Sequence, residues 1–452
     1  MTTTLYPYQK EGVKEILRRN GRVLLADEMG LGKTLQALWY LKIKEGTLPA
    51  LVVCPASLKW VWQHEAKMHC NMIADVLEGR KPYTENLLVK SELVVINYEV
   101  LSYWLPWIYK QNFSTLIIDE CHYQKNSSAI RTKCIQQIGR KIPHVIAISG
   151  TPLVNKPSEL YTTLHLLWPK EFTSFWSFGF EYCKPSKRPW GWEFKGATNL
   201  DKLHDSLNRL GMVRRLKKDV LKDLPDKIRE VIPLEISKPK EYKKAKDDFL
   251  TWLATFDSSK VDSAMRAEKL VQLGYLKRLA AKLKMDSVLS WVDDFLESND
   301  GKLVLFCTHR SIIKALHEKY GNISVVVDGS VTGKKRQYAV ESFQSKPKIK
   351  LFIGNIRAAG VGLTLTAASY LAFVELDWTP GNHTQAEDRI HRIGQKNTSN
   401  IYYLIAKGTI EEPLCKLIQK KQETISTVLD GGKEVNRLSL MDLLEEELKK
   451  GN

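Results

Sequence analysis

Two series of short, continuous apolar runs constrain the fold of this chain more than any other feature of its sequence. A turn or a polar cluster follows each run, and amphipathic, helix-like stretches separate one run from the next. Strands that are apolar without alternation are typical of a parallel sheet covered by helices on both faces. The sequence therefore predicts two α/β halves. The runs lie at residues 23–26, 50–54, 93–96, 116–118, 145–148, 302–306, 324–327, 350–353 and 370–374.

The segment between the two halves has a different character. Residues from about 155 to 230 are rich in aromatic and then in basic side chains, and residues 236–300 are charged and helix-like without a strand-like run. We therefore expect mainly helical insertions and a basic linker between two doubly wound parallel-sheet lobes. The expected divisions are 1–160 for the first lobe, 161–300 for the insertions, 301–430 for the second lobe and 431–452 for a C-terminal helix.

Charge and hydropathy limit the class of protein. Lysine and arginine number 68 against 51 aspartate and glutamate residues, which gives a net charge of +17. Such an excess indicates either a polyanionic partner or a generally basic surface. No apolar run approaches the roughly 18 residues of a membrane span, and the first ten residues hold no signal-peptide core. We therefore expect a soluble protein that is not exported and does not bind a membrane.

The cysteines predict neither disulfides nor a metal site. The chain has seven of them, an odd number, widely spaced and never in a CxxC pair, which is typical of reduced thiols. His64, His69 and Cys70 lie close together but lack a second pair of ligands at zinc spacing. We therefore expect no zinc.

A glycine-rich turn follows the first apolar run and opens the first helix-like stretch. Glycines allow backbone N–H groups to face a phosphate, the helix N-terminus adds positive potential, and the lysine reaches the terminal phosphates. The threonine hydroxyl suits Mg²⁺. The strict phosphate-binding consensus has glycine where this chain has aspartate, and a bare Gly-Lys-Thr turn also occurs by chance. The residues of the turn are Asp27, Glu28, Met29, Gly30, Leu31, Gly32, Lys33 and Thr34.

Two carboxylates, Asp119 and Glu120, directly follow the apolar run at 116–118. Ligands of parallel sheets bind at the carboxyl ends of the strands. In that place Asp119 would belong to the Mg²⁺ shell and Glu120 would act as general base on the attacking water. The alternative is a solvated acidic pair, and the glycine-rich turn at a distance that fits one domain favours the catalytic interpretation.

Two arginines mark the second half. Arg389 and Arg392 are three residues apart, a spacing that predicts one helix face. Guanidinium groups there would reach the γ-phosphate as arginine fingers. A charged, solvated helix face is the alternative, and the position in a second α/β half favours the first interpretation.

Taken in order, these motifs resemble those of helicase superfamily 2 and, within it, the SWI/SNF-type DNA translocases, over essentially the whole chain. The turn at 27–34 is similar to the form of the phosphate-binding loop in that family, including Asp27. Further matching segments are 5–9, 54–59, 96–99, 119–122, 149–152, 214–217 with 224–225, 328–330, 360–365 and 385–395. The resemblance places 214–217 in the basic segment that links two RecA-like lobes.

The resemblance implies an ATP hydrolase that uses ATP and Mg²⁺ in a cleft between the lobes, with 1–160 as the ATP-binding lobe. Gln9 would read adenine, Thr34 and Asp119 would hold the metal, and Lys33, Glu120, Arg389 and Arg392 would complete catalysis. Gly362 and Gln385 of the second lobe join the implied nucleotide contacts. Implied backbone contacts to DNA are Ser57, Lys59, Asn97, Tyr98, Thr151, Thr308, Arg310 and Thr364.

Three functions remain open from the sequence. The first is a DNA-stimulated ATPase that translocates on double-stranded or branched DNA, remodels DNA structures and displaces bound proteins. The second is a strand-separating DNA or RNA helicase, and the third is a DNA-binding scaffold with a vestigial motor. Trp190 and Trp192 lie in a Pro/Gly-rich stretch, and we expect them to pack the insertion rather than to stack on bases.

Details at 122–126, 362–367 and 377–381 resemble the fork-remodelling, annealing-helicase branch. The motor nearly fills the chain, so we expect a monomeric motor without an added nuclease or zinc-finger domain, with a protein partner left open. A bacterial, viral or mobile-element protein of the cytoplasm is the expectation, or a nuclear one in a eukaryote.

Overall fold

The computed structural model describes the chain in two compact units, the first within Met1–Leu224 and the second within Pro225–Lys421. The passage from one to the other falls inside the segment expected to hold the insertions. The described residues are 4–82, 91–150, 152, 156–188, 191–194, 196–254, 263–331, 333–360 and 362–419.

The first unit is built on a parallel sheet. Its strands run in the order β3-β4-β2-β5-β6-β1-β9, each parallel to its neighbour, and β7 and β8 form a separate antiparallel pair. The strands of this unit are β1 (Arg22–Leu25), β2 (Ala50–Cys54), β3 (Ala74–Val76), β4 (Leu93–Asn97), β5 (Thr115–Asp119), β6 (His144–Ile148), β7 (Ser186–Arg188), β8 (Gly191–Glu193) and β9 (Met212–Val213).

Helices connect these strands and cover the sheet. Consecutive side chains of β4 and β5 are buried, which shows that both faces of the sheet are covered. The helices are α1 (Pro7–Arg18), α2 (Lys33–Ile43), α3 (Lys59–Glu65), α4 (Leu101–Ile108), α5 (Ile130–Gly139), α6 (Tyr161–Leu167), α7 (Phe175–Tyr182), α8 (Leu200–Leu210) and α9 (Lys217–Val220).

The second unit repeats the design. Its parallel strands run in the order β10-β15-β14-β11-β13-β12. The strands are β10 (Lys227–Leu234), β11 (Lys302–Cys307), β12 (Ser324–Val327), β13 (Leu351–Asn355), β14 (Ala368–Phe373) and β15 (Ser399–Ala406). The helices are α10 (Pro239–Ala254), α11 (Ser263–Leu283), α12 (Met285–Ser298), α13 (Arg310–Tyr320), α14 (Gly333–Ser345), α15 (Ile356–Ala359) and α16 (Pro380–Glu387).

The core of the second unit lies on both faces of its sheet. Val304 and Phe306 belong to one buried cluster and Leu303 and Leu305 to another, because successive side chains of a strand point to opposite faces. The α/β class with two doubly wound parallel-sheet lobes is confirmed. Within the described residues, no helix has the length and apolar character of a membrane span.

The sequence analysis did not predict the strands β3, β7, β8, β9, β10 and β15. The first four are only two or three residues long. Strand β10 lies at the edge of the second sheet with mostly exposed side chains, so it lacks the continuous apolar run of a central strand.

Candidate nucleotide-binding site

The register of the first sheet brings three loops to one edge. Leu25 of β1 and Asp119 of β5 both pair with Ile148 of β6, so the three strands end side by side. The loops that follow hold the glycine-rich turn, the acidic pair and the Ser149-Gly150 dipeptide. Three sequence-predicted motifs of the first unit therefore share the carboxyl edge of its sheet, where parallel sheets bind ligands.

The glycine-rich turn has the backbone of a phosphate-binding loop. Gly30 and Gly32 have φ angles of 87° and 72°, in the left-handed region that glycine adopts at little cost, and α2 begins at Lys33. The Lys33 ammonium donates to the carbonyl oxygens of Asp27 at 2.7 Å and Glu28 at 3.2 Å. Burial lowers the pKa of Lys33, an effect that the carboxylates of Glu120 and Asp27 oppose.

The chemistry of the oxygen donors at this edge fits Mg²⁺. Thr34 is the second residue of α2, and Asp119 ends β5 in the same sheet. A hydroxyl and a carboxylate are hard oxygen ligands of the kind that this ion prefers. Gly150 lies close to the glycine-rich turn, since a Cβ at position 150 would lie 2.2 Å from Met29 Cγ.

The side chain of Asp27 is bound inside the first unit. It is fully buried, and Arg215 donates to both of its oxygens, Nε to Oδ1 at 2.9 Å and Nη2 to Oδ2 at 2.7 Å. Gln36 Nε2 donates to Oδ2 at 2.9 Å. A carboxylate bound in this way stabilises the loop, and the predicted contact of Asp27 with nucleotide stays a prediction. Glu28 is likewise engaged and accepts from Lys217 N at 2.7 Å.

The basic segment at 214–217 therefore packs within the first unit. Strand β9 precedes it and pairs with β1, so Arg214 and Arg215 begin beside the strand that leads into the turn. Arg214 Nη1 donates to the carbonyls of Ala26 at 2.8 Å and Gly150 at 3.1 Å. These arginines hold the phosphate-binding loop, and the predicted place of their segment between the lobes stays a prediction.

Asp119 is held by two hydrogen bonds. Trp62 Nε1 donates to Oδ2 at 2.8 Å and the Glu120 N–H donates to Oδ1 at 2.9 Å. Burial and the adjacent Glu120 raise the pKa of Asp119 to about 7, against the opposing effect of Trp62. The carboxyl group therefore titrates near neutral pH.

Glu120 has the opposite electrostatic balance. Burial raises its pKa, but hydrogen bonding and charge from His122, together with Lys33 and Ser149, outweigh this effect and leave the pKa below its ordinary value. Ser149 Oγ donates to Oε2 at 3.0 Å, and His122 Nδ1 lies 3.3 Å from the same oxygen. The φ angle of Glu120 is 52°, a left-handed conformation that costs free energy in a residue with a Cβ. An ionised carboxylate in a strained turn suits a general base.

Gln9 lies directly on the glycine-rich turn. Its Oε1 accepts from Tyr6 N at 3.0 Å, and its Nε2 donates to the Leu31 carbonyl at 3.3 Å. The side chain is 2% exposed. Gln9 thus connects the start of α1 to the phosphate-binding loop, and its predicted contact with adenine stays a prediction.

Arg389 and Arg392 lie together in the second unit, but not on a helix. Helix α16 ends at Glu387, and both arginines occupy the turns that follow. The reason is that the Arg389 carbonyl accepts from Leu365 N at 2.9 Å and so leaves the helical path. Arg389 Nη1 and Arg392 Nη1 both donate to the Leu363 carbonyl, at 3.2 and 3.3 Å. The two side chains do converge, as the spacing predicted.

The other predicted nucleotide residues of this unit lie nearby in the chain. The carbonyl of the buried Gln385 accepts from Arg389 Nε at 2.9 Å. Gly362 has a φ of 73° and lies beside Leu363 in the segment that binds the arginines. Their contact with nucleotide stays a prediction.

The three predicted DNA contacts of the second unit lie after β11, at the start of α13 and in a loop. Thr308 comes after β11, and its N–H and Oγ1 donate to the buried Glu375 carboxylate at 2.8 and 3.0 Å. Arg310 is exposed, with an ion pair of 3.8 Å to Asp328, and Thr364 is exposed. Burial raises the pKa of Glu375, but the hydrogen bond and charge of His309 lower it to about 2. Glu375 is therefore ionised and holds this loop through its hydrogen bonds.

The predicted DNA contacts of the first unit are mostly engaged inside it. Tyr98 is 2% exposed and donates to the Asp119 carbonyl at 2.6 Å, so it supports the acidic loop and has no hydroxyl left for DNA. Lys59 is buried and donates to the Leu77 carbonyl at 3.0 Å. Asn97 is also buried, and its amide donates to Glu99 Oε2 at 2.6 Å. Ser57 is half-buried, whereas Thr151 lies outside the described residues.

Sequence reasoning missed Trp62, Gln36 and the specific role of Ser149. Each acts on a predicted residue elsewhere in the chain, from nine positions away for Gln36 to 57 positions away for Trp62. The apolar helical context of Trp62 pointed to the core, where its ring does lie, but gave no sign of its polar partner.

A phosphate-binding loop, an acidic pair and converging arginines on two parallel-sheet units define the class as a two-lobe, helicase-type nucleotide hydrolase. The family model named SNF2-related domain matches residues 8–282, and the one named helicase conserved C-terminal domain matches residues 284–394. The chain belongs to the SNF2-related family.

Curated relatives agree with this family. A Mus musculus protein described as DNA annealing helicase and endonuclease ZRANB3 is 34% identical over 456 residues, covering 96% of this chain and 41% of that protein. A Xenopus laevis SWI/SNF-related matrix-associated actin-dependent regulator of chromatin subfamily A-like protein 1 is 35% identical, covering 92% and 43%. The Caenorhabditis elegans homolog of the latter is 35% identical, covering 94% and 62%. The chain thus spans about two fifths to three fifths of these relatives.

The solved structures that resemble the chain include the Sulfolobus solfataricus SWI2/SNF2 ATPase core in complex with double-stranded DNA. It is 23% identical with a TM-score of 0.47, covering 100% of this chain and 97% of that one.

Proposed function

We propose that the protein is a DNA-stimulated ATPase that translocates on double-stranded DNA. The observation that carries the proposal is the cluster at the carboxyl edge of the first sheet. There Lys33 extends from the phosphate-binding loop, Asp119 and Glu120 lie at the carboxyl end of β5, and Ser149 donates a hydrogen bond to Glu120. These groups are the ones that phosphoryl transfer to water requires.

Glu120 is the general base of the proposed reaction. Its lowered pKa keeps it ionised at neutral pH, and His122 and Ser149 orient the carboxylate by hydrogen bonds to Oε2. Lys33 would bind the terminal phosphates once it exchanges its two loop carbonyls for them. By resemblance to the family, Arg389 and Arg392 would stabilise the negative charge of the γ-phosphate in the transition state.

Thr34 and Asp119 would hold Mg²⁺ with the nucleotide. The ion would neutralise phosphate charge as hydrolysis proceeds. The protein's own contribution is to orient Asp119, which the Trp62 indole and the Glu120 N–H hold at both oxygens.

Two observations support DNA as the partner. The net charge of +17 suits a polyanion, because each neutralised phosphate releases condensed counterions. The mouse relative is described as a DNA annealing helicase, and 96% of this chain aligns with it. Remodelling or annealing of branched DNA, or displacement of bound proteins, is the activity we propose for a monomeric motor. Among the predicted contacts, Arg310 and Thr364 are exposed.

A triplex-displacement assay separates translocation from strand separation. A third strand bound in the major groove of a duplex is released by a motor that tracks along the duplex without opening it. We expect release with ATP from the wild-type chain and none from Lys33→Ala. Unwinding of a partial duplex without triplex release would instead support a strand-separating helicase.

A further inference from the structure

A cluster of exposed aromatic rings lies on the first unit, in the segment after α6. Trp176 and Phe180, on α7, stack with ring centroids 6.2 Å apart. Trp192, on β8, packs its ring against Phe180 with centroids 5.0 Å apart. We call Trp176, Phe180 and Trp192 the aromatic platform. Trp192 packs against the insertion, as the sequence analysis predicts, but its ring is also 44% exposed, and Trp190 lies outside the described residues.

The platform packs on a further aromatic ring on one side and is exposed to solvent on the other. Phe194 lies behind it, with ring centroids 5.4 Å from Trp176 and 5.7 Å from Phe180. Gly179 leaves the space that the Phe194 ring occupies, since a Cβ at position 179 would come within 2.6 Å of that ring. The platform rings themselves are 56%, 47% and 44% exposed. Three large rings held in place but left half in water form a contiguous apolar patch of the kind that marks a binding surface.

A lysine lies beside the platform. Lys187 of β7 is directly opposite Trp192 of β8, so both side chains leave the hairpin on the same face, and both are exposed. Lys184 is also exposed, and Arg188 follows in the sequence. An ammonium group next to an indole ring matches a nucleotide, which presents a phosphate next to a base.

We propose that the aromatic platform and Lys187 bind unpaired nucleotides of single-stranded DNA, such as those at a fork or branch. This inference rests on the proposed action on DNA. Exposed rings stack on bases of any sequence, and neighbouring lysines bind the backbone phosphates. Paired bases cannot occupy the platform because their faces are stacked within the duplex. The surface therefore gives a duplex motor a preference for junctions.

A protein partner fits these observations less well. The centres of protein interfaces are depleted of lysine, whereas here Lys187 is paired directly with Trp192 of the platform. A polyanion with planar rings complements both features at once.

The test measures binding of fluorescein-labelled 20-nucleotide DNA, a blunt duplex and a fork by anisotropy, with the full chain and no nucleotide. We expect Trp192→Ala to weaken binding of single strands and forks about tenfold, with blunt-duplex affinity changed less than about twofold. Trp192→Phe should keep most of the affinity. Tyr103→Ala is the matched control, since Tyr103 is 46% exposed on α4 with Arg80 over its ring, and should change none of the three.

Lys187→Glu provides a second variant that leaves the rings in place. It should lower the slope of log affinity against log salt for single strands by about 0.7, as loss of one phosphate contact does. Unchanged binding of single strands and forks by both variants would overturn the inference, as would an equal loss for blunt duplex. Loss of self-association with unchanged DNA binding would also overturn it, in favour of a protein interface. Duplex-stimulated ATPase of the wild type is measured separately, so that failure of the proposed motor is distinguishable.

Discussion

The ion pair between Arg215 and Asp27 should be among the most costly interactions to remove from the first unit. Asp27 is fully buried and the Arg215 side chain is 16% exposed. Replacing Arg215 by methionine keeps the apolar stem but leaves the carboxylate with Gln36 as its remaining side-chain donor. Leaving a buried charge without its partner costs about 3–5 kcal/mol, a large part of a typical stability of about 5–15 kcal/mol.

The expected loss appears in both unfolding and nucleotide binding. At roughly 2–4 °C per kcal/mol for a domain of this size, Tm should fall by roughly 6–20 °C. Adding Asp27→Asn to Arg215→Met should recover part of the stability, because it removes the unpaired charge. ATP affinity should fall in Arg215→Met even where that variant stays folded, since the phosphate-binding loop loses the ion pair between Asp27 and Arg215.

An exposed ion pair of the same length is the control. Arg18 and Glu15 are also 2.7 Å apart, but their side chains are 65% and 39% exposed. Arg18→Met should cost about 0–1 kcal/mol, which urea unfolding can compare directly with Arg215→Met. Equal costs for the two variants would refute the view that Arg215 secures the phosphate-binding loop.

The other predictions concern the reaction. Glu120→Gln should retain ATP binding and slow hydrolysis by roughly 10²–10⁴-fold, and unchanged turnover would remove Glu120 as general base. Arg392→Ala should lower turnover about 10³-fold at nearly constant DNA affinity, whereas a parallel loss of DNA affinity would make it a backbone contact. The pKa of Asp119 is raised to about 7, so its protonated form is favoured by folding. That contribution to stability is complete below about pH 4 and is lost as the pH rises through 7. Mg²⁺ requires the deprotonated carboxylate, so Mg²⁺–ATP affinity by titration calorimetry should rise from pH 6 to pH 8, and a flat profile would contradict this. Trp62→Phe should raise the Mg²⁺ concentration at half-maximal activity, and an unchanged requirement would show that the indole does not orient Asp119.

Burial on both faces explains which parts of the fold were readable from the sequence. Central strands such as β2 and β5 are continuous apolar runs because no side chain meets water. The edge strand β10 has mostly exposed side chains, so only its pairing with β15 identifies it. Pairing between distant segments leaves no local pattern.

The same distinction applies to the site. The loop at 27–34 and the acidic pair were readable because their chemistry requires local spacing. The partner of Asp27 was not, because Arg215 lies 188 positions away and its basic neighbours equally suited a linker. The helix predicted for Arg389 ends early because the Arg389 carbonyl accepts a hydrogen bond from Leu365 N. This tertiary contact outweighs the preference that the local spacing indicates.

The ATPase rate at fixed salt with duplex, single-stranded and forked DNA and with RNA tests the central claim most directly. Strong stimulation by duplex or forked DNA, absent in Lys33→Ala, is the predicted result, and a fork rate above the duplex rate would agree with a preference for junctions. Stimulation by RNA alone, or no stimulation by any of the four, would contradict the account of a duplex-DNA translocase.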